Sequence, residues 1–153
     1  GAGAQVWAGT SFGDSLATAI PFDASNTIIS AVVWSPDSGV TVKLKVEDHT
    51  TPSISVETDV VTSKTGWDTL RFDMSLHSIG APLNLANTYD KMSIFYNFGV
   101  MPTVADTFYV DFVDFTGGRQ LTLSCQDLVR GSPTNVVFGE YSLNSFEILT
   151  LQF

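Results

Sequence analysis

The chain has 153 residues, of which 44% are hydrophobic, and sixteen acidic against seven basic side chains leave a net charge of −9. Phosphate groups repel such a charge, so we expect neither nucleic acid nor an anionic membrane surface as a partner. No apolar run has the roughly 20 residues needed to cross a bilayer, so we expect no membrane insertion. A single cysteine, Cys125, excludes an internal disulfide.

Short runs rich in β-branched and aromatic residues follow one another along the chain, separated by turn residues. They span residues 26–34, 40–48, 67–74, 91–99, 106–115, 119–125, 135–142 and 146–153. Helical periodicity is nearly absent. The pattern predicts an all-β protein, an antiparallel β-sandwich with little or no helix.

Alternation of apolar and polar residues assigns two faces to these strands. In the second predicted strand the polar face carries Lys43 and Lys45, opposite a row of valines and Leu44. In the third, Trp67 and Arg71 share the face that lies opposite the apolar residues. We expect Lys43 and Arg71 to lie on the polar face of neighbouring strands.

A change in organisation is predicted at Gly117-Gly118, where two glycines follow a strand. Residues 1–116 would form the main sandwich. Residues 117–153 would be a strand-rich extension, which either completes the same sandwich or forms an appended arm.

The sequence Gly-Asp-Ser-Leu around Ser15 matches the start of the active site in one group of serine esterases. Such an enzyme needs a histidine base and an orienting carboxylate, which that group supplies as Asp-x-x-His. The two histidines here, His49 and His77, are preceded at that spacing by Val46 and Met74. The esterase fold also requires long helices. We therefore predict a non-catalytic protein with Ser15 in a surface loop.

Aromatic residues are the stronger functional signal. Trp7, Trp34 and Trp67 stand at strand ends or beside turns, where large rings are half exposed. A flat ring matches the apolar face of a sugar, and flanking polar side chains bind its hydroxyl groups. The alternative is that these rings complete the core.

Metal-binding patterns are weak by comparison. The two histidines have no ligand spacing between them. Asp111 and Asp114 lie in one predicted strand, and oxygen-rich loops could hold calcium, but no loop matches the twelve-residue calcium hand.

Three blocks of sequence resemble a known family. They read VWSPDSGVTVKLKVED, GWDTLRFD and LNLANTYDKMSIFYNFG, and with GAQVWAGT before them and FYVDFVDF after them they cover residues 4–115 approximately. Their order resembles that of carbohydrate-binding-module-like domains with a galactose-binding-like jelly roll. Such domains are appended to secreted bacterial glycan-degrading enzymes and surface proteins.

The resemblance implies a non-catalytic module that binds a poly- or oligosaccharide outside the cell or at a surface. Together with the alternation, it points to a site on a concave face. We expect the tryptophans to stack on sugar rings and the other side chains to bind hydroxyl groups. The expected residues are Trp34, Lys43, Lys45, Trp67, Arg71 and Asn97.

Family members carry a first strand before the GAQVWAGT segment. Its absence would leave an unpaired sheet edge, which a strand from elsewhere could fill. In the family, that first segment and an aspartate equivalent to Asp111 together bind a structural calcium ion. The resemblance therefore implies calcium at Asp111, but the segment that would supply the other ligands is absent from this sequence.

Residues 119–153 do not match the family. They suggest an alternative function, that of a structural subunit built on the same jelly roll, such as a virion decoration or fibre protein. Such a subunit would form a homo-oligomer or pair its tail strands with neighbours.

Overall fold

The structure is a computed structural model that describes residues 5–12, 14–101 and 106–115. These residues form eight strands: β1 (Gly9–Ser11), β2 (Ile28–Ser35), β3 (Thr41–Glu47), β4 (Ser55–Val61), β5 (Gly66–Asp73), β6 (Ile79–Gly80), β7 (Lys91–Tyr96) and β8 (Tyr109–Asp114). The described part of the chain contains no helix, and therefore none long and apolar enough to span a membrane.

The strands form two antiparallel sheets. One has five strands in the order β1-β7-β3-β4-β6, and the other has three in the order β5-β2-β8. Their apolar faces pack together into one core, so the predicted all-β sandwich is confirmed.

Five predicted strands correspond to β2, β3, β5, β7 and β8, while β1, β4 and β6 were not predicted. Strand β4 is hidden in the sequence because Ser55, Glu57 and Asp59 occupy one of its faces and Thr58 interrupts the apolar series on the other. The predicted strands after residue 116 and the boundary at residues 117–118 lie outside the described residues.

The core is built by the inner faces of the central strands. Its most deeply buried members from β2, β3, β5 and β7 are Ile29, Ala31, Val33, Val42, Leu44, Val46, Phe72, Met92 and Ile94. Full burial of each larger side chain contributes about 1.5–3 kcal/mol. The alternation that puts these residues inside sends their neighbours to the two outer faces, which the strands present to solvent or to a ligand.

Strand β1 approaches the rest of the sheet closely at Gly9. Gly9 pairs with Phe95 of β7, and the Phe95 ring lies against the Gly9 backbone. A Cβ atom at Gly9 would meet this ring and would stand 2.7 Å from the carbonyl oxygen of Ile94. Because the carbonyl oxygen belongs to the backbone, rotation of a side chain cannot relieve this second contact.

We expect Gly9→Ala to lower the free energy of unfolding by about 1–3 kcal/mol, the usual cost of overpacking. Denaturant unfolding followed by circular dichroism measures this, with Thr10→Ala on the same exposed strand as the control. Equal stabilities for the two variants would contradict the close approach of β1.

Candidate functional site

Three aromatic residues lie side by side on the outer face of the three-stranded sheet. Trp34 of β2 is paired with Trp67 of β5 on one side and with Tyr109 of β8 on the other. Trp67 and Tyr109 are 48% and 54% exposed, respectively, and Trp34 is half-buried between them. We call these three residues the aromatic row. It presents two half-exposed rings to solvent at one end of the sheet.

The rings of the aromatic row do not form a plane. Trp34 and Tyr109 meet edge to face, with ring centroids 5.6 Å apart and an angle of 67° between the rings. This geometry is favourable for an aromatic pair, and it holds the Tyr109 ring at a steep angle to the indole. The row therefore offers separate ring faces to a ligand.

Polar residues continue the same outer face away from the aromatic row. On β5 the exposed Thr69 and Arg71 follow Trp67 at every second position. Arg71 is paired with Ser30, which is paired in turn with Asp114 of β8. From Trp67 to Arg71 the strand rises about 13 Å. Hydrogen-bonding groups of both charges thus lie within reach of a molecule that rests on the rings.

A β-bulge in β8 sets the position of Asp111. Val33 pairs with Val110, whereas Val32 pairs with Phe112, so Asp111 is the extra residue between them. Its side chain is exposed. Among the described residues, Asp111 belongs to no group of three ligand side chains that could hold a metal ion. Calcium at Asp111 stays a prediction.

Tyr96 of β7 links the two sheets through the backbone of Tyr109, a member of the aromatic row. Its hydroxyl donates a hydrogen bond to the carbonyl oxygen of Tyr109 at 3.2 Å, and its ring stacks on Phe108 with centroids 4.3 Å apart. Burial raises the pKa of Tyr96 to about 12. Tyr96 is therefore a positioning residue, since it holds the backbone that carries the Tyr109 ring.

Lys43 lies on the outer face of the other sheet and is almost completely buried. Its Nζ is 3.2 Å from Glu57 and 3.0 Å from Asp59, donates to Ser78 at 3.2 Å, and stands 5.1 Å from the centroid of the Phe98 ring. An ammonium group has three donors, and here all three have acceptors. Lys43 has no donor left for a sugar hydroxyl.

Lys45 and Asn97 also have structural roles. Lys45 forms an ion pair with Glu47, which pairs with Lys91 as well. Burial raises the pKa of Glu47, but the hydrogen bonds from both lysines outweigh this effect and leave it below its usual value. Asn97 has a φ of 50°, a left-handed conformation that asparagine tolerates better than most residues, in the turn after β7.

The six expected sugar-binding residues therefore do not share one face. Trp34, Trp67 and Arg71 lie on the three-stranded sheet, whereas the two lysines lie on the five-stranded sheet, with Asn97 just beyond the end of its strand β7. The expectation that Lys43 and Arg71 occupy neighbouring strands is wrong, because β3 and β5 belong to different sheets. Tyr109 was not predicted as a site residue, and only its pairing with Trp34 reveals it.

A second cluster joins the end of β3 to the residue that precedes β7. Nδ1 of His49 is 2.6 Å from a carboxylate oxygen of Asp90, whose other oxygen accepts a hydrogen bond from the His49 backbone. Asp48 lies beside them, and ligand atoms of the three residues are within 4.8 Å of one another. The Asp-x-x-His pattern misses this pair because 41 residues separate its members.

Hydrogen bonds stabilise both carboxylates in their charged form. The pKa of Asp48 is lowered, chiefly by the Thr50 hydroxyl and then by backbone donors. The pKa of Asp90 is lowered, chiefly by the backbone of His49. As predicted, Ser15 is exposed in the loop between β1 and β2. The second histidine, His77, is exposed after β5.

Removal of the Tyr96 hydroxyl tests its positioning role. The folded-state pKa lies above the usual 10, so the contribution of Tyr96 to stability is complete below about pH 10 and is lost as the pH rises through about 12. We expect Tyr96→Phe to lower the free energy of unfolding at neutral pH by about 1 kcal/mol and to flatten the alkaline decline. Unfolding curves across this range, compared with wild type, measure both; an unchanged slope would contradict the assignment.

Lys43→Met tests the buried ion pairs. The change leaves Glu57 and Asp59 facing each other without a cation, and because both are partly exposed we expect a loss of about 2 kcal/mol, less than for a fully buried pair. The exposed Lys64→Met is the control in the same urea titration. Addition of Glu57→Gln and Asp59→Asn to Lys43→Met should restore part of the loss, and a neutral Lys43→Met would contradict the interpretation.

Comparison of the chain with protein-family models finds no match, and comparison with curated proteins finds none either. What the chain does must therefore be inferred from the aromatic row and the charged groups themselves.

Proposed function

We propose that this chain is a non-catalytic carbohydrate-binding module whose ligand rests on the outer face of the three-stranded sheet. The observation that carries the proposal is the aromatic row, in which Trp67 and Tyr109 are each about half exposed beside Trp34. A buried ring needs no ligand to cover it, whereas a large ring left half in water on a rigid strand is a favourable contact surface for an apolar sugar face.

Polar groups next to the rings suit sugar hydroxyl groups. Arg71 offers up to five N–H donors, and Thr69 offers a hydroxyl that can both donate and accept. Asp111 and Asp114 add carboxylate groups on β8, which lies on the other side of β2 from β5. Few directed hydrogen bonds around an apolar surface are the usual composition of a small-ligand site.

The charge of the chain favours a neutral glycan. Arg71 shares its face with two aspartates, and the whole chain carries a net charge of −9. A polyanionic sugar would meet repulsion from this field. A neutral polysaccharide pays no such cost and still uses the hydrogen-bonding groups.

Ring geometry favours a single flexible chain over a flat crystalline surface. A flat surface is best matched by coplanar rings, and the Tyr109 ring stands at 67° to that of Trp34, so the three rings of the row do not share one plane. A glycan chain that turns between its sugar units could place one ring face on Trp67 and another on Tyr109.

Trp67→Ala tests the site against a matched control. Trp7 is also an exposed tryptophan, at 61%, but it precedes β1 of the other sheet. We expect Trp67→Ala to weaken binding to a neutral soluble polysaccharide at least tenfold, about 1.4 kcal/mol, while Trp7→Ala binds as wild type does. Affinity electrophoresis in gels that contain each polysaccharide, preceded by a neutral-glycan array, provides the measurement.

Three results would contradict the proposal: no binding to any glycan of the array, equal losses in both tryptophan variants, or wild-type binding by Trp67→Ala. A folded, stable homo-oligomer without glycan affinity would instead favour the structural-subunit alternative. Its mass in solution is read from light scattering of the same samples.

A further inference from the structure

We propose that Asp48, His49 and Asp90 form a binding site for a divalent first-row transition-metal ion of the zinc type. The site lies where the end of β3 meets the residue before β7, on side chains that the aromatic row does not use. It is independent of the proposed sugar site. One imidazole and two carboxylates, all of them zinc ligand types, come from two segments that are distant in sequence.

The separations of the three ligand atoms are close to the separations between the ligands of a zinc ion. An ion about 2.1 Å from each of its tetrahedral ligands separates those ligands by roughly 3.4 Å. The Nδ1 of His49 and the nearer oxygen of Asp90 are 2.6 Å apart, and all three ligand atoms lie within 4.8 Å. An opening of the His49–Asp90 pair by roughly 0.8 Å would bring these two atoms to that separation. The ligand atom of Asp48 already lies within 4.8 Å of both.

The ligand atoms are available without unfolding the loop. The three hydrogen bonds to Asp48, from Thr50 and Thr51, all end on Oδ1, which leaves Oδ2 for the ion. In Asp90, Oδ1 accepts a hydrogen bond from the backbone N–H of His49, and Oδ2 contacts Nδ1 of the His49 ring. A bound ion would therefore replace only the contact between Oδ2 and the ring. The backbone hydrogen bonds would then act as the outer shell that orients both carboxylates.

The charge balance of the cluster also favours a cation. With a neutral imidazole, the two carboxylates carry a charge of −2 within one small cluster. The nearby Lys45 and Lys91 form ion pairs with Glu47. Among the ion pairs of the described residues, Asp90 has His49 as its partner and Asp48 has none. A divalent ion would neutralise the pair.

The chemistry of the ligands selects the class of ion. Calcium takes six to eight oxygen ligands, and an imidazole nitrogen is not one of them. Zinc, cobalt and nickel accept imidazole together with carboxylate. Because His49 is 43% exposed at its side chain, water can complete the coordination.

The chain offers a matched control, since His49 and His77 are its two histidines and both are exposed. Titration of the tag-free, chelator-treated chain with Zn²⁺ in a calorimeter should give one site. We expect His49→Gln to weaken this site at least tenfold and His77→Gln to leave it unchanged. Addition of Ca²⁺ in excess should not displace the Zn²⁺.

Cobalt provides a second measurement on the unaltered protein, which remains valid if His49→Gln fails to fold. Paramagnetic Co²⁺ should broaden or shift the imidazole NMR signals of one histidine. That histidine is identified as His49 by its contacts with residues of the turn that follows β3. Where His49→Gln folds, loss of the signal in that variant gives the same assignment. The signals of His77 should persist. Absence of Zn²⁺ binding, binding unaffected by His49→Gln, Co²⁺ effects at His77 alone, or displacement of Zn²⁺ by Ca²⁺ would each overturn the proposal.

Discussion

The packing of two apolar sheet faces against each other is the constraint on which the rest of this structure depends. Ile29, Ala31 and Val33 of β2 are fully buried in one core cluster together with the inner residues of the other sheet. Because side chains alternate along a strand, every buried residue commits its neighbours to an outer face. A shift of one residue in any central strand would exchange the two sets, so core packing also fixes which side chains can meet a ligand.

The outer faces of the two sheets differ in whether their large side chains are paired with one another or exposed to solvent. On the five-stranded sheet, Lys43 is closed off by two carboxylates and the Phe98 ring, and Lys45 and Lys91 converge on Glu47. Such ion pairs satisfy buried charges, and they leave little for a ligand to bind. On the three-stranded sheet the aromatic row keeps its ring faces in water. This difference between the faces, more than the residue types, favours one of them as a binding surface.

The two proposed sites are built at different levels of the fold. The aromatic row needs three strands in register, together with the hydrogen bond from Tyr96 that holds the β8 backbone in place. The Asp48, His49 and Asp90 cluster needs a strand end and a loop to meet, and an Asx turn at Asp48 that orients one carboxylate. Either can be lost without the other, since they share no residue and no hydrogen bond within the described part of the chain.

The sequence by itself determined the all-β class, the strands β2, β3, β5, β7 and β8, and the face of each side chain within β3 and β5, because a period of two is a local property. It also indicated Trp34, Trp67 and Arg71 as outward residues. Which strands share a sheet is a long-range property, decided by hydrogen bonding between segments far apart in the chain. Only the tertiary structure therefore separated Lys43 from Arg71, brought Tyr109 beside Trp34, and placed Asp90 against His49, since no spacing in the sequence encodes those contacts.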